Sequence, residues 1–306
     1  MISHLPLRLA ASCLTLATAL HPAVGLCQSR PAVARTAPAA QMEHISVASI
    51  GKGSPVVLIP GLSSPRETWA GVSADLAKRH RVILVQVNGF GGDDPRANLS
   101  PGVLDGVVAD LHAYLLHEKL VGAPVVGHSL GGLLAMKLAI AHPGDAGRVM
   151  IVDALPFYGR LFGPCLTPAA LEPRAAMRRD AMKAGYGKPA DPAASEAIVT
   201  RMALKPDSRA KVRGWMAAAD ARVSAQAMYE DLTTDVTADL PGIAVPVTLV
   251  VPYNDTLPQP TVDQLYRDAY KTTLHLTVVE VPDAAHFVML DQPEAFAKAL
   301  DAFLAG

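Results

Sequence analysis

Hydrophobic and polar positions alternate between two rhythms along this chain. Short, nearly uninterrupted apolar runs recur at residues 44–50, 56–59, 82–87, 124–126, 149–152, 247–251 and 274–281. Runs this short and this apolar predict strands, most of them buried on both faces of a sheet. Between them lie stretches with helical spacing, over 68–79, about 103–119, 133–141, about 262–270 and 293–304. Strand and helix in regular succession predict an α/β architecture, a mostly parallel central sheet with helices on both faces. From about Leu155 to about Leu240 the succession stops. That stretch is rich in Ala, Met and Arg, keeps helical spacing and holds several prolines, so it predicts a helical cap inserted into one domain spanning 43–306. There is no internal repeat.

The first residues follow another pattern. Arg8 precedes an apolar run over 9–20, and the small-residue triplets Ala23-Val24-Gly25 and Ala32-Val33-Ala34 come next. This order predicts a signal peptide and leader over 1–34, with export to the periplasm or the medium. An uncleaved anchor is one alternative; lipidation at Cys27 is another, weakened by Leu26 where a small residue is needed. The run is too short for a membrane span. Residues 28–41 read as a Pro/Ala linker.

Composition narrows the chemistry. Lys+Arg is 27 and Asp+Glu is 28, for a formal net charge of -1, so no global basic field draws nucleic acid or an anionic membrane. The mean hydropathy of +0.25 and 18% charged residues point to a folded chain. Cys13, Cys27 and Cys165 form no CxxC pair and no metal-ligand spacing with histidine, so neither a zinc module nor a disulfide framework is expected. No cofactor or metal is called for.

The sharpest motif is Gly127-His128-Ser129-Leu130-Gly131, set between an apolar run and a helical stretch. A serine raised on such a turn needs small neighbours, because the backbone is tightly folded there. The arrangement marks Ser129 as a nucleophile, with the Leu130 amide at a helix N-terminus able to stabilise an oxyanion. A serine also needs a base, and the base an orienting acid. Of the ten histidines, His286 alone lies just past a strand and before the last helix; His128 reads as support for the turn. For the acid, Asp255 stands at the end of the 247–251 strand in Pro252-Tyr253-Asn254-Asp255, giving the chain order Ser, Asp, His. Asp153, at the end of the strand after the nucleophile helix, is the alternative. Asp283 and Asp291 flank the histidine and suit a turn and a helix cap. A second oxyanion donor is expected after the 56–59 strand, at Leu62 in Pro60-Gly61-Leu62-Ser63-Ser64.

In their order, the Pro60-Gly61-Leu62 loop, Gly89-Phe90-Gly91-Gly92, Gly127-His128-Ser129-Leu130-Gly131-Gly132, the Pro252–Asp255 turn and the ending around His286 resemble the α/β-hydrolase superfamily over roughly residues 43–306. The resemblance implies the α/β-hydrolase fold, Ser129 as nucleophile, His286 as base, Asp255 as acid, and Leu62 and Leu130 as the oxyanion hole. Many members carry His-Gly where this chain has Pro60-Gly61. Serine at the turn separates the chain from the dehalogenase and epoxide hydrolase branches.

These features lead to an exported, metal-independent serine hydrolase acting on a small-molecule carboxylic ester. Amide, lactone or carbon–carbon hydrolysis on the same triad is the alternative, and a non-catalytic ligand-binding protein a remote one. An aminopeptidase would need an acid for the substrate amine, which Glu230 or Asp231 could supply. Acyl chain, leaving group and oligomeric state are left open.

Overall fold

The computed structural model of the protein describes residues 40–163 and 165–306. The leader over 1–34 and nearly all of the linker over 28–41 lie outside the described residues. Eight strands form one sheet: β1 (Ala40–Gln41), β2 (Ile45–Ile50), β3 (Ser54–Ile59), β4 (His80–Val87), β5 (Ala123–His128), β6 (Ala146–Val152), β7 (Val247–Pro252) and β8 (Leu276–Val281). Their order is β1-β2-β4-β3-β5-β6-β7-β8. The β1–β2 and β2–β4 pairs are antiparallel, and every other pair is parallel.

The uninterrupted apolar runs follow from two-sided burial. Val57, Ile59, Val125, Ile151 and Leu249 face one core, while Val56, Leu58, Val126, Met150 and Val250 face the other. The first core is closed by α2 (Val103–His117), α3 (Leu130–Ala141) and α8 (Gln259–Ala269), and the second by α1 (Ala70–Leu76) and α10 (Pro293–Ala305). Trp69, fully buried, stacks on Phe296 with centroids 5.9 Å apart and joins α1 to α10. Each such large side chain contributes about 1.5–3 kcal/mol of burial free energy. The helix expected over 68–79 is shorter than its pattern. The Pro65 carbonyl accepts from both the Thr68 amide and hydroxyl, so the segment opens as a tight 3-10 turn, Arg66–Trp69, before α1 begins.

Between β6 and β7 the chain leaves the sheet for four helices, α4 (Pro168–Ala184), α5 (Pro192–Met202), α6 (Pro206–Ala218) and α7 (Ala221–Thr233). The first three begin with proline in the first turn, where the missing N–H is no loss. Thr167, Asp191 and Asp220 cap α4, α5 and α7 through their side chains. Helix α7 lies against the body of the molecule: the Asp220 amide donates to the Gly89 carbonyl (2.6 Å), Ser63 and Ser224 hydroxyls meet at 2.8 Å, and the Glu230 carboxylate accepts from the amides of Gly102 (2.7 Å), Val103 (3.2 Å) and Leu104 (2.9 Å) at the start of α2. The α5–α6 connection is held by Asp291, at the end of the short helix α9 (Val288–Asp291), which accepts from Leu204, Lys205 and Ala285. Among the described residues no helix is long and apolar enough to cross a membrane.

The chain passes from β3 outward to β4 and then returns to place β5 on the other side of β3. The carboxyl ends of β3 and β5 therefore flank the point where the winding reverses, the position at which open parallel sheets leave a crevice for ligands.

Candidate active site

At the end of β5 the backbone turns sharply. Ser129 has φ 53° and ψ -123°, a conformation side chains rarely adopt, and it leads straight into α3. Its amide donates to the Val152 carbonyl (2.9 Å), and its carbonyl accepts from Gly132 (2.7 Å) and Leu133 (3.2 Å). The flanking glycines are there for space. A Cβ at Gly127 would lie 2.0 Å from the Gly131 carbonyl oxygen, and one at Gly131 would lie 2.3 Å from that of Ile59. Strand and helix thus meet backbone to backbone, and Ser129 is pushed up at the crevice.

The loop after β3 runs beside this turn: a Cβ built on Gly61 would stand 3.0 Å from Ser129 Cβ and 3.0 Å from His128 Nδ1. Leu62, half-buried, packs on the core next to it, and Leu130, buried, opens α3. Both expected oxyanion residues therefore adjoin Ser129, one on each side of the β3–β5 crevice.

His286 sits between β8 and α9, its Nδ1 2.6 Å from Asp153 Oδ2. With Nδ1 donating to the carboxylate, the other ring nitrogen is left as an acceptor. Asp153 directly follows β6, itself at positive φ (47°), with its amide donating to the Val250 carbonyl (2.9 Å). Its second oxygen accepts from the Tyr266 hydroxyl of α8 at 2.5 Å. Burial raises the Asp153 carboxyl, but the hydrogen bonds and charge of His286 and the Tyr266 hydroxyl outweigh it, so the group is held below its ordinary value. Burial, and then the Asp153 charge, push Tyr266 well above the usual phenol range. The phenol keeps its proton and the carboxylate stays ionised.

Asp255 is not at this site. It is exposed in the turn after β7, where the neighbouring Asn254 organises the loop, its amide nitrogen donating to Ala284 (2.8 Å) and its oxygen accepting from Thr256 and Leu257. Strand register explains the correction. Asp153 stands level with the last residues of β7, whereas Asp255 follows Pro252 by three residues and has left the sheet. The carboxylate on His286 is Asp153, the alternative in the sequence.

His128 is fully buried. Its Nε2 donates to the His286 carbonyl (2.8 Å), its ring centroid is 4.6 Å from that of His286, and its Nδ1 has no partner among the described residues. Burial, reinforced by His286, lowers it from the ordinary 6.5 to about 3, so it is neutral and steadies the loop that carries His286. Tyr266 carried no signal in the sequence, because its link to Asp153 spans 113 residues. The remaining cluster of potential metal ligands among the described residues, His112, His142 and Asp145, is a stack: the two rings are 3.7 Å apart and within 8° of parallel, with His112 Nδ1 2.7 Å from Asp145. Parallel rings direct their lone pairs side by side rather than at one point, unlike a coordinating pair.

Residues 56–299 match the Alpha/beta hydrolase family. The polyketide synthase ThaQ of Burkholderia thailandensis is 30% identical over 266 residues, covering 83% of this chain and 12% of that protein. The pimeloyl-[acyl-carrier protein] methyl ester esterase of Aeromonas hydrophila is 33% identical over 128 residues, 42% of this chain and 48% of that one. The chain thus spans less than half the length of each of these two curated relatives. Among solved structures, the enol-lactonase from Burkholderia xenovorans LB400 superposes with a TM-score of 0.70 at 22% identity, over 88% of this chain and all of that one. At that identity the likeness speaks for the fold.

Proposed function

The chain belongs to the α/β-hydrolase family, and we propose that it is a serine hydrolase of small carboxylic esters, with Ser129, His286 and Asp153 as its catalytic triad. The observation that carries the reading is the 2.6 Å contact of Asp153 with His286, beside a Ser129 held at positive φ on the β5–α3 turn. Ser129 Oγ attacks the ester carbonyl while His286 Nε2 takes the hydroxyl proton. The oxyanion is stabilised by the amides of Leu62 and Leu130. The intermediate then collapses, and the departing alcohol takes the proton from His286. Water repeats the sequence on the acyl-enzyme, giving up its proton to His286 and releasing the acid and a free Ser129. Asp153 keeps Nδ1 protonated and stabilises the imidazolium formed at each step. The helices α4–α7 serve as the cap over this site. The ester preference is supported by the relative from Aeromonas hydrophila, an esterase by name.

A p-nitrophenyl ester series from short to long acyl chains tests the activity. Ser129→Ala is expected to remove turnover by about 10⁴-fold or more, leaving what binding and the oxyanion hole alone provide. Wild-type protein that is folded yet inactive on every member would point to amide, lactone or carbon–carbon substrates. Export is part of the same proposal, supported by the apolar run over 9–20 and the small residues after it. Protein secreted with its first residue at Leu26 or Arg35 is expected; a chain that keeps Met1 inside the cell would sink this part.

A further inference from the structure

The buried face of α8 is written by Val262, Tyr266 and, at its C-cap, Tyr270, spaced so that they lie in one line along the helix. The two phenol rings are within 16° of parallel, with centroids 6.4 Å apart. Both hydroxyls end on the turn that follows β6. Tyr266 donates to Asp153 Oδ1 (2.5 Å), and Tyr270 donates to the Ala154 carbonyl (2.8 Å). That turn has to be held, because Asp153 is a non-glycine residue at φ 47°, a conformation that persists only where its surroundings fix it. One tyrosine grips the carboxylate and the other the next peptide. Packing alone would be served by phenylalanine at 266. The hydroxyl is the part that packing does not require, and it meets the acid that holds His286.

We propose that Tyr266 is a positioning residue of the reaction, whose hydroxyl fixes the plane of the Asp153 carboxylate so that Oδ2 holds the His286 ring in place. The proposal rests on the hydrolase reading above. An aspartate carboxylate turns easily about its last torsion. With Oδ2 on His286 Nδ1 (2.6 Å) and Oδ1 on Tyr266, both oxygens are occupied and that freedom is removed. Burial of Tyr266 keeps bulk water from competing for Oδ1. A hydrogen bond donated to Oδ1 also draws charge from the carboxylate, so His286 faces a weaker counter-charge than an unbridged Asp153 would offer. Among the described residues, the other titratable groups whose charge reaches this pair are the neutral His128 at the end of β5, Tyr270, Tyr158 of the 3-10 turn Tyr158–Phe162, and Asp231 of α7. All of them remain in Tyr266→Phe, so a change seen there belongs to the one hydroxyl removed.

Two measurements on the full chain test this and keep it apart from the hydrolase reading. First, kcat and KM for a p-nitrophenyl ester are followed from pH 5 to 9, with Ser129→Ala as the background. Tyr266→Phe keeps the ring and its stacking. It is expected to lower kcat about tenfold through lost orientation, with KM within about twofold, and to move the acid limb of kcat/KM up by about half a pH unit, because the unbridged carboxylate holds the imidazolium more tightly. Tyr270→Phe loses a similar hydroxyl from a backbone carbonyl, and should lower the denaturant midpoint while the pH profile stays in place. Adding Tyr266→Phe to Asp153→Asn should cost no more than about twofold further, since the hydroxyl acts through that carboxylate. An unmoved acid limb, or full additivity of the two substitutions, overturns the proposal while ester turnover itself survives. Second, His286 is titrated by magnetic resonance in protein carrying isotope-labelled histidine, its signal identified by its loss in His286→Gln; this needs no turnover. An imidazolium that titrates about half a unit higher in Tyr266→Phe supports the positioning role even if no ester is cleaved. Identical titration in the two proteins counts against it.

Discussion

Asp153 and Asp255 both end or follow a strand of the same sheet, yet only one meets His286, so their substitution separates position in the sequence from position in space. Asp153→Asn removes the charge that holds the imidazole and favours the wrong tautomer, and is expected to lower kcat by about 10³–10⁴-fold. Asp255→Asn, at an exposed turn, should stay within about twofold. Steady-state kinetics on one ester checks both, and equal effects would mean that the acid has been misassigned. His128 gives a prediction of a different kind. Its folded value of about 3 lies below the ordinary 6.5, so between those limits the unfolded chain binds a proton that the native one refuses. The resulting stability is complete above pH 6.5 and is lost as pH falls toward 3. Asp231 acts in the opposite sense, since its raised carboxyl makes the native state the better proton binder between 3.8 and about 7, and its contribution falls as pH rises through that window. Denaturant midpoints at pH 5 and 7.5 for His128→Asn and Asp231→Asn separate the two. The difference from wild type should shift in the destabilising direction for His128→Asn on going to the higher pH, and in the stabilising direction for Asp231→Asn.

At the scale of elements, the loop carrying His286 is positioned by contacts that have no part in bond making. Asp291 is fully buried and gathers three amides, Leu204 (2.9 Å) and Lys205 (3.3 Å) between α5 and α6 and Ala285 (3.1 Å) next to His286, while the Phe287 amide donates to the Met202 carbonyl (3.0 Å). Asp291→Ala orphans those donors and is expected to cost about 3 kcal/mol or more, visible as a lower denaturant midpoint, and to reduce kcat more than it raises KM. A variant as stable as wild type would show that water replaces the carboxylate. The sequence marked Asp291 as a helix cap; the structure shows it joining the α4–α7 insertion to the histidine loop, a link across 87 residues that no local pattern reveals. Helix boundaries follow the same logic. The prolines and capping side chains of α4, α5 and α7 are local and could be read directly, but the 3-10 start of α1 depended on one carbonyl, that of Pro65, accepting twice.

For the whole molecule, the contacts of α7 with the loop after β4, with Ser63 and with the start of α2, together with Asp291, tie the insertion to the sheet at several separate points. Sheet and insertion are accordingly expected to unfold together. A single calorimetric transition, coincident with loss of ester hydrolysis, is the anticipated result; a first transition that removes helix signal and activity while the sheet persists would show the insertion to be an independent unit.

Sequence alone determined what is decided by neighbours along the chain. Two-sided burial writes apolar runs, so the strands and their parallel arrangement were legible, and the Ser129 turn was legible because glycines at 127 and 131 are needed wherever a strand and a helix meet backbone to backbone. His286 was legible from its place between the last strand and the last helix. Tertiary structure decided which aspartate meets it, because that depends on the register of β6 against β7 and on how far each turn carries its aspartate beyond the sheet edge. It also decided the roles of Glu230 and Asp231. Consecutive residues on a helix point about 100° apart, so Glu230 reaches the start of α2 and accepts its first amides, while Asp231 carries no hydrogen bond or ion pair among the described residues.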